Sequence, residues 1–253
     1  NAVAAWPAVT YYVMGDASDA SAPGNEWRTS DCWPPVRTQP TRFYLHGDKT
    51  LSESKPSAPG SLTYVSDPAN PVPTVGGWEL TLPAGPRDQR KIEGRSDVVV
   101  FSSAVLDKPL EITGHVSAKL WASSDARDTD YLVRLCDVYP DGKSFNVCEG
   151  ILRARFREGF QKEKLIKPGA LRDFDIDLWS TSIVVNKGHR LRVHVASSSS
   201  PGYDPNPNTG ERFRSSSSLV IATNRIEVSA FHASYIELPI VSREAQKKLT
   251  SAQ

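Results

Sequence analysis

Cysteine is scarce in this chain: Cys32, Cys136 and Cys148 are the only three in 253 residues. An odd count without tight spacing argues against a disulfide framework and a thiolate zinc site. Cys136 and Cys148 flank Asp141-Gly142 almost symmetrically and read as two small buried thiols. Helical periodicity is almost absent, which excludes a bundle and the βαβ succession of a doubly wound enzyme. Neither charge dominates: 30 basic and 29 acidic residues leave a net charge of +1, without a basic block. Nucleic acid is therefore not an expected partner. No apolar run reaches membrane-span length, so a membrane is not an expected partner either. The five histidines are dispersed. His189 and His194 fall on opposite faces of a strand and cannot share an ion. His46, His115 and His232 lack a serine or carboxylate at a diagnostic spacing. No metal and no cofactor is expected.

What the chain does have is short, alternating segments. An apolar fraction of 39% with six tryptophans is enough for a core. Leu110, Ile112, Val116, Ala118 and Leu120 alternate with Glu111, Thr113, His115, Ser117 and Lys119, the pattern of a half-wet strand. Further strands are expected at 9–14, 43–45, 78–82, 98–102, 131–139, 145–156, 174–178, 191–195, 225–228 and 235–240. The dry positions of 145–156 switch parity, which places a β-bulge at Glu149-Gly150. Seven prolines between Ser52 and Pro86 mark a long irregular wrap, expected to be functional or interface-forming. Many half-wet strands of even spacing predict an all-β antiparallel sandwich.

Four features carry candidate roles. Trp121 breaks the wet face of its own strand, so that face is expected to be covered at that end. Asp128-Thr129-Asp130 has the oxygens of a calcium loop but lacks an EF-hand's glycine and terminal glutamate. The favoured reading is structural: one aspartate accepts backbone N–H groups and another pairs with an arginine. Arg153, Arg155 and Arg157 would form a cross-strand ion ladder with Asp173, Asp175 and Asp177 if their strands were neighbours. The loop from Pro201 to Gly210, with Tyr203, Asp204, Asn206 and Asn208, is loop chemistry first and a candidate surface second.

Several motifs carry a family resemblance. Leu110-Glu111-Ile112-Thr113-Gly114, Asp128-Thr129-Asp130-Tyr131 and Asp137-Val138-Tyr139-Pro140-Asp141-Gly142-Lys143 resemble the C-terminal β-domain of the cocaine esterase family. That family includes X-Pro dipeptidyl-peptidases and α-amino-acid ester hydrolases. Val13-Met14-Gly15, Trp27-Arg28, Trp33-Pro34-Pro35, Ser66-Asp67-Pro68-Ala69-Asn70-Pro71-Val72-Pro73-Thr74-Val75-Gly76-Gly77, Asp88-Gln89-Arg90, Gly188-His189-Arg190, Ser198-Ser199-Ser200-Pro201 and Asn208-Thr209-Gly210 extend it along nearly the whole chain, in order. The resemblance implies a jelly roll similar to the galactose-binding-like fold over residues 41–253. Residues 1–40 would be the tail of a catalytic α/β-hydrolase domain and a connector.

It also implies a serine nucleophile in that other domain, and no G-x-S-x-G occurs in this chain. No catalytic residue is therefore expected here, and the chain reads as the C-terminal part of a larger hydrolase. By the resemblance, the positions of Leu120 and Trp121 help wall the acyl pocket of the catalytic domain, the expected partner. Tyr203, Asp204 and Asn208 are the second candidates for pocket wall or domain interface, and Asp128 and Asp130 hold a structural loop. Two rival readings remain: a carbohydrate-binding module using Trp121, Tyr203 and Asp204, and a structural domain that forms a homodimer through a sheet edge.

Overall fold

The strand from Leu110 to Ser124 is the spine around which the chain is arranged. The structure, a computed structural model, describes residues 2–211 and 218–241. The end of the unit expected from residue 41 onward, 242–253, lies outside the described residues. In chain order the strands are β1 (Val9–Val13), β2 (Glu26–Ser30), β3 (Thr38–Leu45), β4 (Leu51–Ser52), β5 (Ser61–Ser66), β6 (Val99–Ser102), β7 (Leu110–Ser124), β8 (Asp130–Val138), β9 (Ser144–Arg153), β10 (Arg172–Val185), β11 (Arg190–Ala196), β12 (Ala222–Glu227) and β13 (Tyr235–Val241). A single helical turn, α1 (Arg90–Glu93), precedes β6.

Among the described residues all strand ladders are antiparallel, and β3 to β13 make a two-sheet sandwich. In the larger sheet β10 runs along one edge of β7. The other edge of β7 is shared: β13 pairs with its first half and β12 with its second. The order β4-β3-β13-β7-β12-β5 with β10 beside β7 completes it. The smaller sheet runs β6-β11-β8-β9. Ile112, Val116, Leu120, Phe174 and Ile176 of the first sheet meet Phe101, Tyr131, Val133, Leu135 and Val193 of the second in one core. The rings of Tyr131 and Phe174 lie 4.4 Å apart across the gap.

The outer faces are covered differently. On the smaller sheet, a second cluster of Val72, Ile92, Val98 and Ala196 packs the long loop and α1 over the strands, so β8 is buried along its whole length. The proline-rich wrap thus has an internal task. Its strand is β5, where Tyr64 and Ser66 face inward, whereas 78–82 is irregular. On the larger sheet, β1 and β2 form a separate two-stranded ribbon over the start of β7. The Met14 amide donates to the Ser182 carbonyl, the Val184 amide donates to the Met14 carbonyl, and Arg28 reaches the buried carboxylate of Glu111 at 2.8 Å. Residue 40 lies inside β3, so the boundary drawn there cuts a continuous strand.

Two further expectations are corrected. The β9 bulge is at Val147, because Leu135 pairs with Cys148 and Cys136 with Asn146. Gly150 serves a different need: a Cβ there would sit 1.9 Å from the Asp177 carbonyl oxygen, so only glycine lets β9 cross β10 this closely. The arginine–aspartate ladder does not form, since β9 and β10 belong to different sheets. β9 ends at Arg153, and Ala154–Phe156 is a 3₁₀ turn.

Candidate functional site

Alternation along β7 puts His115, Ser117, Lys119, Trp121 and Ser123 on the outer face of the larger sheet. Its middle is a set of satisfied ion pairs. Lys119 Nζ is 3.0 Å from Asp173 and 2.7 Å from Asp175. Arg42 pairs with Glu237 at 2.9 Å and lies over the Tyr235 ring, which in turn meets Tyr44 edge-on. Trp121 is half-buried on this face, with the His232 ring tilted against it at 4.6 Å between centroids. The loop between β12 and β13 supplies that histidine. The Ser234 hydroxyl holds the loop in place, accepting the Trp121 amide at 3.0 Å and donating to the Glu227 carbonyl. Phe231 at the loop tip is 92% exposed.

Leu120 points the other way. It is fully buried in the core, so of the two adjacent candidates only Trp121 reaches the surface. Consecutive strand residues face opposite sides, and one pocket wall cannot take both side chains.

The remaining candidates gather at the end of the sandwich. Asp128, completely buried, accepts the Arg155 amide at 2.9 Å and Arg155 Nε at 2.8 Å. Asp130 takes both Arg153 Nε and Nη2 at 2.9 and 3.0 Å. Burial holds the Asp130 carboxyl above its ordinary range, against the pull of Arg153. Asn206 bridges the two aspartates, donating at 3.0 Å to Asp128 and 2.7 Å to Asp130, and accepts the Asn208 amide at 2.9 Å. Asn208 donates onward to the Val220 carbonyl, and the Asp204 carbonyl accepts from Arg153. The loop from Pro201 to Gly210 is therefore fastened to Asp128 and Asp130, and Asn208 is a buried clamp. Tyr203 turns outward to meet Trp78 edge-on at 5.6 Å.

Sequence reasoning missed two buried clusters. His189 lies 2.8 Å from Asp137 and 3.6 Å from Asp16, under the Tyr139 ring at 4.2 Å. Burial raises the Asp137 carboxyl to about 6 despite His189. Burial acts likewise on Asp16, but hydrogen bonds from Ser18 overcome it and hold that carboxyl low. His194 meets Glu93 at 3.0 Å and the Cys136 sulfur at 3.9 Å. Burial raises that thiol to about 12, so it stays protonated and unreactive at neutral pH. Neither cluster pairs an activated nucleophile with a base. Among the described residues no group of three or more His, Cys, Asp or Glu is placed to hold a metal.

The fold is an antiparallel β-sandwich domain with buried acid–histidine clusters and one polar–aromatic outer face. The chain belongs to the family of X-Pro dipeptidyl-peptidase C-terminal non-catalytic domains, whose model matches residues 1–237. It is 41% identical over 256 residues to the cocaine esterase of Rhodococcus sp. (strain MB1 Bresler), covering 96% of this chain and 43% of that protein. A putative serine esterase of Mycobacterium bovis is 28% identical, with 93% of this chain and 37% of that protein covered. Among solved structures, an aminopeptidase from a marine sediment archaeon, Thaumarchaeota archaeon, superposes with a TM-score of 0.82 at 32% identity, over 93% of this chain and 41% of that one. An α-amino acid ester hydrolase superposes with a TM-score of 0.79 at 33% identity, over 85% and 39%. The chain thus spans about two fifths of the length of these relatives.

Proposed function

We propose that this chain is the C-terminal accessory domain of a serine hydrolase acting on esters or on amino-terminal peptide bonds. In this reading it packs on an α/β-hydrolase domain of the same parent chain and contributes Trp121 to the wall around the substrate. The observation that carries it is an end-to-end match to the C-terminal part of esterases and peptidases, in a chain with no G-x-S-x-G elbow. In the whole enzyme the serine, with a histidine and an aspartate of the other domain, forms the acyl-enzyme. The accessory domain shapes access. The test is Trp121→Ala in the full-length hydrolase. The expected result is altered preference among acyl groups of different size, because a half-buried aromatic at a wall sets available volume. Unchanged relative kcat/KM across such a series would remove Trp121 from the pocket.

The exposed Trp78, edge-on to the half-buried Tyr203, favours a second reading, sugar binding on an aromatic surface. Saturable quenching of tryptophan fluorescence by a saccharide, lost in Tyr203→Ala, would support it.

A further inference from the structure

β10 contains a bulge that changes its register. Asp177 pairs with Ser117 and Ser180 with His115, so Leu178 and Trp179 together oppose Val116. Before the bulge Phe174, Ile176 and Leu178 fill the core; after it Ile183 and Val185 do. Packing explains the bulge but not the tryptophan. Trp179 adopts φ 67, a region strained for a bulky side chain and open to glycine, and its side chain stands 72% exposed. Asp177 fixes this geometry by accepting the Trp179 amide at 2.7 Å. Strain that the core does not need points to function.

The surroundings say what kind. Trp33, 38% exposed, donates its indole N–H to Ser180, beside Trp179, and meets Tyr11 edge-on. His115, opposite Ser180, lies on the open face. Trp121 and His232 occupy the same face six residues further along β7, roughly 20 Å at strand spacing. Aromatic groups thus stand at both ends of a face whose central charges are already paired. A stable interface takes about 800 Å² from each partner, so one partner spans both ends. Interfaces draw most of their affinity from a few such aromatic anchors. In the relatives the matched segment is C-terminal, so the rest of their chain precedes the β1–β2 ribbon, which sits at the Trp179 end.

We infer that Trp179 is an anchor by which this open face docks on the catalytic domain of the parent hydrolase. This rests on the accessory-domain reading above. The test is hydroxyl-radical footprinting of the 253-residue chain and of the full-length hydrolase, with Trp179→Gly compared in both. Trp179 should label strongly in the chain and lose most of its labelling in the hydrolase. Trp179→Gly should leave the melting temperature of the chain unchanged or higher, and lower that of the hydrolase. Equal labelling of Trp179 in both, with protection elsewhere, such as at Trp78 and Leu80, would overturn the anchor while leaving the accessory reading standing. Protection of no residue in the hydrolase would overturn both. Concentration-dependent protection in the chain alone would identify a second copy as the occupant and overturn the inference. A large drop in the melting temperature of the chain with Trp179→Gly would make Trp179 a structural residue.

Discussion

At the scale of single residues, Leu120 and Trp121 make a controlled pair, adjacent in sequence and opposite in surroundings. Leu120→Ala opens a void in a closed core and should cost about 2–5 kcal/mol. Trp121→Ala, in this chain alone, loses a half-exposed ring contact and should cost about 1–2 kcal/mol. Urea unfolding with an unchanged slope measures both, and equal losses would place Trp121 in the core. Asp137 gives a pH-dependent signature. Its folded value of about 6 exceeds the value of about 4 in an unfolded chain. The folded state therefore holds this proton more tightly. Taken alone, Asp137 adds stability as pH falls from about 7 toward 4 and withdraws it as pH rises through 6. An NMR titration of its side-chain carboxyl carbon should show a midpoint near 6; a midpoint near 4 would mean that the pull of His189 cancels the effect of burial.

At the scale of elements, Gly150 marks a close crossing of the two sheets. Gly150→Ala drives a methyl group into the Asp177 carbonyl and should cost about 3 kcal/mol or more. Gly142→Ala, at φ 84 in an open turn, should cost only about 1–2 kcal/mol. Similar thermal shifts for the two would show that β9 and β10 can part without loss. Arg155→Met strands the charge of Asp128 in a closed site and should cost about 3–5 kcal/mol, part of which Asp128→Asn restores. If adding Asp128→Asn worsens the loss, the pair is not the reason for the arginine. These elements also show how far the sequence could be read. Strands β7 and β11 were legible because apolar and polar residues alternate along most of their length, and β8 and β13 because they are short runs rich in apolar and aromatic residues. β5 was hidden by Ser61, Thr63 and Ser66, which leave only Leu62, Tyr64 and Val65 as apolar signal. The ladder of Arg153 and Arg155 with Asp173 and Asp175 depended on their strands being neighbours, and parity along a strand says nothing about which strand lies beside it. His189 and Asp137 are 52 residues apart and meet only through the pairing of β11 with β8. Of the candidate surface, Trp121 was legible as a break in a wet face. Trp179 was not, because a bulge erases the alternation that would expose it.

At the scale of the whole molecule, the purified chain is expected to turn over no simple aryl ester. Detectable turnover, abolished by changing one serine labelled by an active-site probe, would contradict this. Its melting temperature should also be indifferent to EDTA. The Asp128 and Asp130 carboxylates already spend their oxygens on arginine and asparagine donors, and a calcium-reversible drop of many degrees would show otherwise.

The larger sheet sets a schedule on biosynthesis. Arg42 on β3 and Glu237 on β13 face each other from 195 residues apart, so β3 cannot find this neighbour until β13 has been made. At ribosomal rates of about 5–20 residues per second, β3 waits roughly 10–40 s with one edge bare. During that interval the nascent chain exposes Phe43 and Leu45, which the finished sheet buries. A ribosome-bound chain stopped before residue 235 should therefore stay protease-sensitive at β3 however long it is held, and should engage a chaperone that binds extended apolar segments.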